Sequence, residues 1–424
     1  DRDGVPHIYA ANDRDLYCAQ GYIHARDRLF QMDLTRREVS GDLAEVLGPS
    51  VVGRDVQSRT VGLRRAAERS KDEALLPSEL ILLEAYAAGV NASIASNPLP
   101  LEYGLLGLTS VRPWTVIDSL VIGKAIAAQL SLDIDTGPTS ALLSYIGALG
   151  NLAGPALYFD VHRSAPMDPA STVPDATGGT PFIAQNLKAS SVKLARMASG
   201  AKRVQEKLEK VPWIAHAMNR REREIGSNEW GVAGENAAGG RPIIANDPHL
   251  SLNIPATFYE WHLNVDDDPA AGPMNVSGIG FPGAPGVILG QNEHITWGAT
   301  TNPMDVSDVF SDQLIVGGCP ESIACITSEG NFYPVKIEPT EYFANVNGTL
   351  QKITEGNILT VDHPFRSFGP ILDVTDPSVF EDGGATTALV LQYTGFHPTR
   401  ELSAFVAWNR ARNLGEFLTG LADF

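Results

Sequence analysis

The sequence is short of cysteine, of positive charge and of long apolar runs, and each shortage removes a class of function. Three cysteines in 424 residues offer no zinc spacing, and the nine histidines form no H-E-x-x-H pair, so a zinc enzyme is not indicated. Lys and Arg number 32 against 50 Asp and Glu, a net charge of −18. That balance disfavours nucleic acid and anionic membranes as partners. No apolar run approaches the roughly 20 residues that cross a bilayer, so no membrane span is expected. No G-x-S-x-G elbow marks a hydrolase of the serine-triad type. No Asp/Glu pair stands out from the acidic background as glycosidase carboxylates would. The opening Asp1-Arg2-Asp3-Gly4 has neither the basic nor the apolar region of a signal peptide.

What is present reads as globular: 43 % hydrophobic and 19 % charged residues, enough chain for one large domain or two ordinary ones. Cys319 and Cys325 lie close together beside Gly317-Gly318. They suit either a local disulfide in an oxidising compartment or two loop thiols, and spacing leaves both open. The first part patterns as helix. Asn12 or Asp13 can cap a helix with an apolar face of Leu16, Ala19, Ile23, Phe30 and Leu34. A second helix starts near Ser78 with Leu83, Tyr86, Val90 and Ile94 on one face. A third starts at Thr115, with Asp118 completing a capping box. Residues 166–181 turn to Pro, Ser, Thr and Asp, as a linker does. From Gln185 to Glu224 runs a polar helix rich in Lys and Arg, which composition reads as a solvated face. After Gly226 the pattern becomes β. Trp230–Gly234 and Pro242–Asn246 flank a turn at Gly239-Gly240, a hairpin, and Phe258–Val265 alternates as a half-buried strand does. Helices followed by strands, without βα alternation, indicate an α+β fold.

Gly278-Ile-Gly280-Phe-Pro-Gly283 matches the G-x-G-x-x-G dinucleotide fingerprint. That fingerprint requires a helix directly after the glycines; Pro282 and Pro285 precede a strand-like run instead, so no nucleotide site is expected. A hydroxyl can also be activated by sitting on an N-terminal residue, because a free α-amine titrates at about 7.7–8.0 and can act as base for its own side chain. Gly226-Ser227 could be cut to expose such a residue, although Gly-Ser by itself is a common turn dipeptide.

Gly226-Ser227-Asn228-Glu229-Trp230 resembles the junction at which penicillin acylase precursors are cut into α and β chains. The resemblance extends along most of the sequence in family order. Before the junction it includes Asp3-Gly4-Val5-Pro6-His7-Ile8, the run Gly21 to Arg28, Gln31-Met32, Arg36-Arg37, Gly41 to Glu45, Glu102-Tyr103 and Pro113-Trp114-Thr115. After it come Asn246-Asp247-Pro248-His249-Leu250, Phe281-Pro282-Gly283 and Trp297-Gly298-Ala299-Thr300.

The resemblance implies the four-layer αββα fold of N-terminal-nucleophile hydrolases. It divides the chain into an α-chain-like region at 1–160, a spacer at 161–226 and the first part of a β chain at 227–424. It implies that Ser227 is the nucleophile once the Gly226–Ser227 bond is cut, that His249 stands beside it, and that the Thr301 N–H donates to the oxyanion. It implies structural calcium on Asp305, Asp308 and the Ser307 carbonyl, with Asp135 (or Asp133) as a further ligand. An acyl pocket falls on Ile126, Leu130, Leu250 and Leu289. Family β chains continue past the point matching Phe424, and there they carry an oxyanion Asn and a substrate-orienting Arg. The expected activity is release of an acyl group from an N-acylated amine, from a homoserine lactone, an acylated peptide or a penicillin, in the periplasm or outside the cell. The alternative is a non-catalytic relative that binds acylated compounds.

Overall fold

A computed structural model describes residues 1–132, 134, 136–161, 191–218, 226–250, 253–301, 306–320, 322–328, 330–363 and 367–424. Helix α1 (Asp13–Ser40) starts where the Asn12 side chain accepts the Asp15 N–H, and stops at Gly41, whose φ of 76° terminates the helix. Helix α2 (Pro77–Ser96) has Pro at its first position, and Glu79 accepts the Leu76 N–H at 2.8 Å. Helix α3 (Val116–Ser131) carries the expected box: Asp118 accepts from the Thr115 N–H and Oγ–H, each at 2.8 Å. Helices α1 and α2 cross with their backbones almost touching. A Cβ on Gly21 would lie 2.1 Å from the Tyr86 carbonyl oxygen, and one on Gly89 1.8 Å from that of Cys18.

The buried side of α1 differs from the expected apolar stripe. Leu16 is fully buried, but so are Tyr17, Gln20, His24, Met32 and Arg36, while Ala19, Ile23, Phe30 and Leu34 are only half-buried. Apolar periodicity misses this face because Gln20 and Arg36 are polar residues with fixed partners. Gln20 accepts from the Gly286 N–H and donates to its carbonyl, while Arg36 pairs with Asp33 and Asp118 and donates to the Arg112 and Pro113 carbonyls. Buried charges are tolerated when every donor is so satisfied.

Strand β1 (His7–Ala10) lies at the edge of a sheet completed far along the chain. Strands β2 (Ser227–Val232) and β3 (Ile243–Pro248) form an antiparallel pair around the expected turn. Strands β4 (Tyr259–Asp268), β5 (Gly272–Gly280), β6 (Leu289–Asn292) and β7 (Thr296–Trp297) join β1 in the order β1-β4-β5-β6-β7. The expected alternation of β4 holds, with Tyr259, Trp261, Leu263 and Val265 buried. A turn and β6 follow Gly280, not a helix, and a Cβ on Gly278 would lie 2.2 Å from the Leu289 carbonyl oxygen. The glycine run therefore serves close strand packing.

The rest of the β region closes a barrel. It comprises β8 (Ser307–Val316), β9 (Ala324–Ser328), β10 (Asn331–Val346), β11 (Thr349–His363), β12 (Ser367–Val374) and β13 (Gly384–Tyr393), ordered β10-β11-β12-β13-β8-β9. Cys319 and Cys325 form a disulfide that ties the loop after β8 to β9, which decides between the two readings left open by spacing. The architecture is a mixture of helices and sheets.

Helix α4 (Thr136–Val161) breaks at Gly150. Helices α5 (Ser191–Leu208) and α6 (Pro212–Met218) occupy the basic stretch. Among the described side chains, not all of this stretch faces solvent. Val204, Leu208, Val211, Trp213 and Ile214 enter a core shared with α3 and β13, and Arg203 and Lys207 pair with Asp373 at 2.9 and 2.6 Å. Among the described residues no helix is long and apolar enough to cross a membrane.

Candidate active site

Gly226 and Ser227 lie at the start of the hairpin, both half-buried. Antiparallel pairing sets Ser227 opposite Pro248, and the His249 N–H donates to the Gly226 carbonyl at 3.2 Å. The hairpin thus brings His249, 22 positions later in sequence, against the Gly226–Ser227 peptide bond. The imidazole Nε2 lies 3.1 Å from Asn228 Nδ2 and 3.0 Å from Asp247 Oδ2. Beyond Ser227 the hairpin is largely exposed, Trp230, Val232 and Ile243 included.

A side-chain amide fastens this hairpin to the segment after β7. Asn246 donates to the Asn228 carbonyl and to the Ala299 carbonyl, each at 3.0 Å, and accepts the Ala299 N–H at 3.1 Å. Gly298 is required beside it, because a Cβ there would lie 2.7 Å from Glu229 Oε1 and 2.8 Å from Asn246 Cγ. Thr301 follows two residues after the clamped Ala299 and is half-buried. Asn246 has no assigned role in the sequence reading. Its contact with Ala299 spans 53 residues, so no local pattern could have signalled it.

Of the four expected pocket residues, Ile126, Leu250 and Leu289 are each half-buried against the same apolar cluster. Leu130, one turn beyond Ile126, is half-buried but lies outside that cluster. Phe258 and Phe281, with ring centroids 5.0 Å apart, belong to the cluster as well. Leu250 directly follows His249 and so links the cluster to the Gly226–Ser227 bond. The Phe281–Gly283 turn is clamped to the helices: the Gly283 N–H donates to Tyr86 Oη at 3.1 Å, and Tyr86 lies 2.5 Å from His24 Nδ1. Full burial drives the His24 pKa down to about 3, with nearby Arg28 adding to the effect, and raises that of Tyr86 well above the usual tyrosine range.

Ser307 and Asp308 take the first two positions of β8, Ser307 buried and Asp308 exposed. Asp305 and Asp135 lie outside the described residues. A main-chain carbonyl and a solvent-facing carboxylate on adjacent residues are oxygen donors of the kind a hard cation takes. Among the described residues, no three His, Cys, Asp or Glu side chains gather as a metal site.

The penicillin amidase family model matches residues 1–424. Penicillin acylase 2 proenzyme of Pseudomonas sp. (strain SE83) is 31 % identical over 74 % of this chain. Acyl-homoserine lactone acylase QuiP of Pseudomonas aeruginosa is 29 % identical over 73 %, and penicillin G acylase of Escherichia coli 28 % over 74 %. The matched parts span 37 %, 33 % and 40 % of those relatives' lengths. A solved structure of a thermostable penicillin G acylase from Alcaligenes faecalis is 30 % identical, covering 40 % of this chain and 93 % of its own, with a TM-score of 0.36.

Proposed function

The chain belongs to the penicillin amidase family, and on that premise we propose that it hydrolyses N-acyl amides through an acyl-serine on Ser227, within the four-layer αββα fold of the family. The observation that carries the reading is the meeting of the Gly226–Ser227 bond with His249 at one hairpin end, next to an apolar cluster reached through Leu250.

Maturation comes first. Ser227 Oγ attacks the Gly226 carbonyl carbon, and negative charge develops on the oxygen that already accepts the His249 N–H. The Oγ proton passes to the Ser227 nitrogen as the C–N bond breaks, leaving a free α-amine and an ester, which water cleaves to a Gly226 carboxylate and the Ser227 hydroxyl. Spacer residues from 161–226 then leave, giving α and β chains from one precursor. Because α5 and α6 pack into the core, their release requires local opening and lags behind the first cut.

In the mature enzyme the neutral α-amine takes the Oγ proton as Ser227 attacks the substrate amide. The Thr301 N–H stabilises the oxyanion, the amine product leaves with the proton, and water releases the acid. His249 and Asn246 position the hairpin and the donor segment. Ile126, Leu250 and Leu289 hold the acyl group, with Leu130 as a further lining residue one helical turn beyond Ile126. Calcium, held by Asp305, Asp308, Asp135 and the Ser307 carbonyl, would act as a structural tie between the two chains. The Cys319–Cys325 disulfide supports a periplasmic or secreted location.

Aliphatic pocket residues favour medium or long acyl chains over phenylacetyl amides, with N-acyl homoserine lactones and acylated peptides as the leading substrates and aliphatic penicillins behind them. Each buried methylene contributes about 0.8 kcal/mol, roughly a fourfold change in affinity. The Phe258–Phe281 pair supports a second reading, a flat aryl acyl group. Assaying the full-length processed protein with hexanoyl, decanoyl and phenylacetyl amides of one amine decides between them. The aliphatic reading expects decanoyl or hexanoyl to give the highest kcat/KM, and a phenylacetyl maximum refutes it. No hydrolysis of any amide by protein with a free Ser227 amine would favour the non-catalytic binder.

A further inference from the structure

Strands β1 and β4 run parallel with His7 opposite His262. The two imidazoles meet edge to face, centroids 5.1 Å apart, and their Nδ1 atoms are separated by 3.1 Å. The outer nitrogens determine which tautomers are present. His7 Nε2 lies 3.2 Å from Asp1 Oδ2, and an ionised carboxylate only accepts, so Nε2 carries the hydrogen. His262 Nε2 lies 2.6 Å from Asn275 Oδ1. The orientation of that amide is set from behind, because Asn275 Nδ2 donates to Glu293 Oε1 at 3.1 Å. Turning it over would set two oxygen acceptors against each other. His262 Nε2 therefore also carries its hydrogen. With both outer nitrogens protonated, the two Nδ1 atoms face each other across 3.1 Å, an arrangement that a cation shared between them, a proton or a metal ion, would hold.

We propose that His7 and His262 form a surface site for a divalent transition-metal ion, Zn²⁺, Ni²⁺ or Cu²⁺, bound through both Nδ1 atoms. Metal–nitrogen bonds of about 2.0–2.1 Å at octahedral or tetrahedral angles place two ligand nitrogens roughly 2.9–3.4 Å apart, and the observed separation falls in that range. Imidazole pairs select such ions over calcium. Each ring's far N–H is held by an oxygen acceptor, Asp1 for His7 and the Glu293-oriented Asn275 for His262, the arrangement that orients metal-binding histidines. The His7 and Asp1 side chains are each 39 % exposed, so an ion can enter and water can complete its coordination. The ligands are 255 residues apart, and a bound ion would fasten β1 to the sheet.

The test is a Cu²⁺ titration of untagged, chelator-stripped full-length protein, followed by electron paramagnetic resonance and calorimetry. The expected result is one tight equivalent with coupling to two imidazole nitrogens, lost in His7→Gln and in His262→Gln. Zn²⁺ or Ni²⁺ should raise the Tm of the unsubstituted protein and not that of His7→Gln, whose exposed position keeps the fold intact. Equal stoichiometry in the protein and in His7→Gln, or coupling to a single nitrogen, would overturn the site and leave only adventitious binding to other histidines.

Discussion

Replacing His24 by glutamine should remove about 2 kcal/mol of acid sensitivity from the fold. His24 is fully buried and neutral, with its pKa pushed from 6.5 to about 3. The unfolded chain binds a proton at this residue below about pH 6.5, whereas the folded chain does so only near pH 3. Over that window the unfolded state holds more protons, so stability rises with pH and falls on acidification. Between pH 7 and 5 the difference amounts to about 2 kcal/mol for one group with these two pKa values. Tyr86 Oη accepts the Gly283 N–H, so its own hydroxyl donates to His24 Nδ1. A glutamine oxygen can take over that acceptor role without titrating. Urea unfolding at pH 7 and pH 5, for full-length protein and His24→Gln, isolates the term because other titrating groups cancel in the comparison. Tyr86→Phe should instead cost about 2–5 kcal/mol at both pH values, since it leaves two buried groups without a partner. Equal loss between pH 7 and 5 in the protein and in His24→Gln would refute the reasoning.

Two further substitutions or removals probe the site. Asn246→Ala deletes the clamp between the hairpin and Ala299, and is expected to lower kcat about 10–100-fold, as oxyanion donors lose their placement, while thermal unfolding shifts little; unchanged kcat would remove Asn246 from the positioning machinery. Chelation of calcium should lower Tm before it alters the catalytic step. Metal analysis of unchelated protein that finds no calcium would remove that ion from the account.

Features determined by neighbouring residues were legible in the sequence. The Asn12 cap, the Thr115–Asp118 box, the β2–β3 hairpin and the alternation of β4 each depend on residues a few positions apart. The barrel was not legible as a barrel. Among the described side chains of its longest strands, Asn331–Val346 and Thr349–His363, few are buried, so their apolar alternation is weak. The buried face of α1 was hidden because Gln20 and Arg36 pack as core residues once their polar groups are satisfied, and His24 packs there with its Nδ1 held by Tyr86. In the candidate site, the Gly226–Ser227 junction and His249 were visible through family order, while the Asn246 clamp and the His7–His262 pair depend on contacts between distant segments. In α5, Lys and Arg obscure the small apolar face that enters the core.

The central claim is that the Gly226–Ser227 bond is cut and that Ser227 then carries the chemistry. Intact mass under denaturing conditions, joined to N-terminal sequencing of each chain, tests it most directly. Active protein is expected to be two chains, the second beginning Ser-Asn-Glu-Trp, and Ser227→Ala a single uncut, inactive chain. Active protein that remains one chain, or whose second chain begins elsewhere, would contradict it.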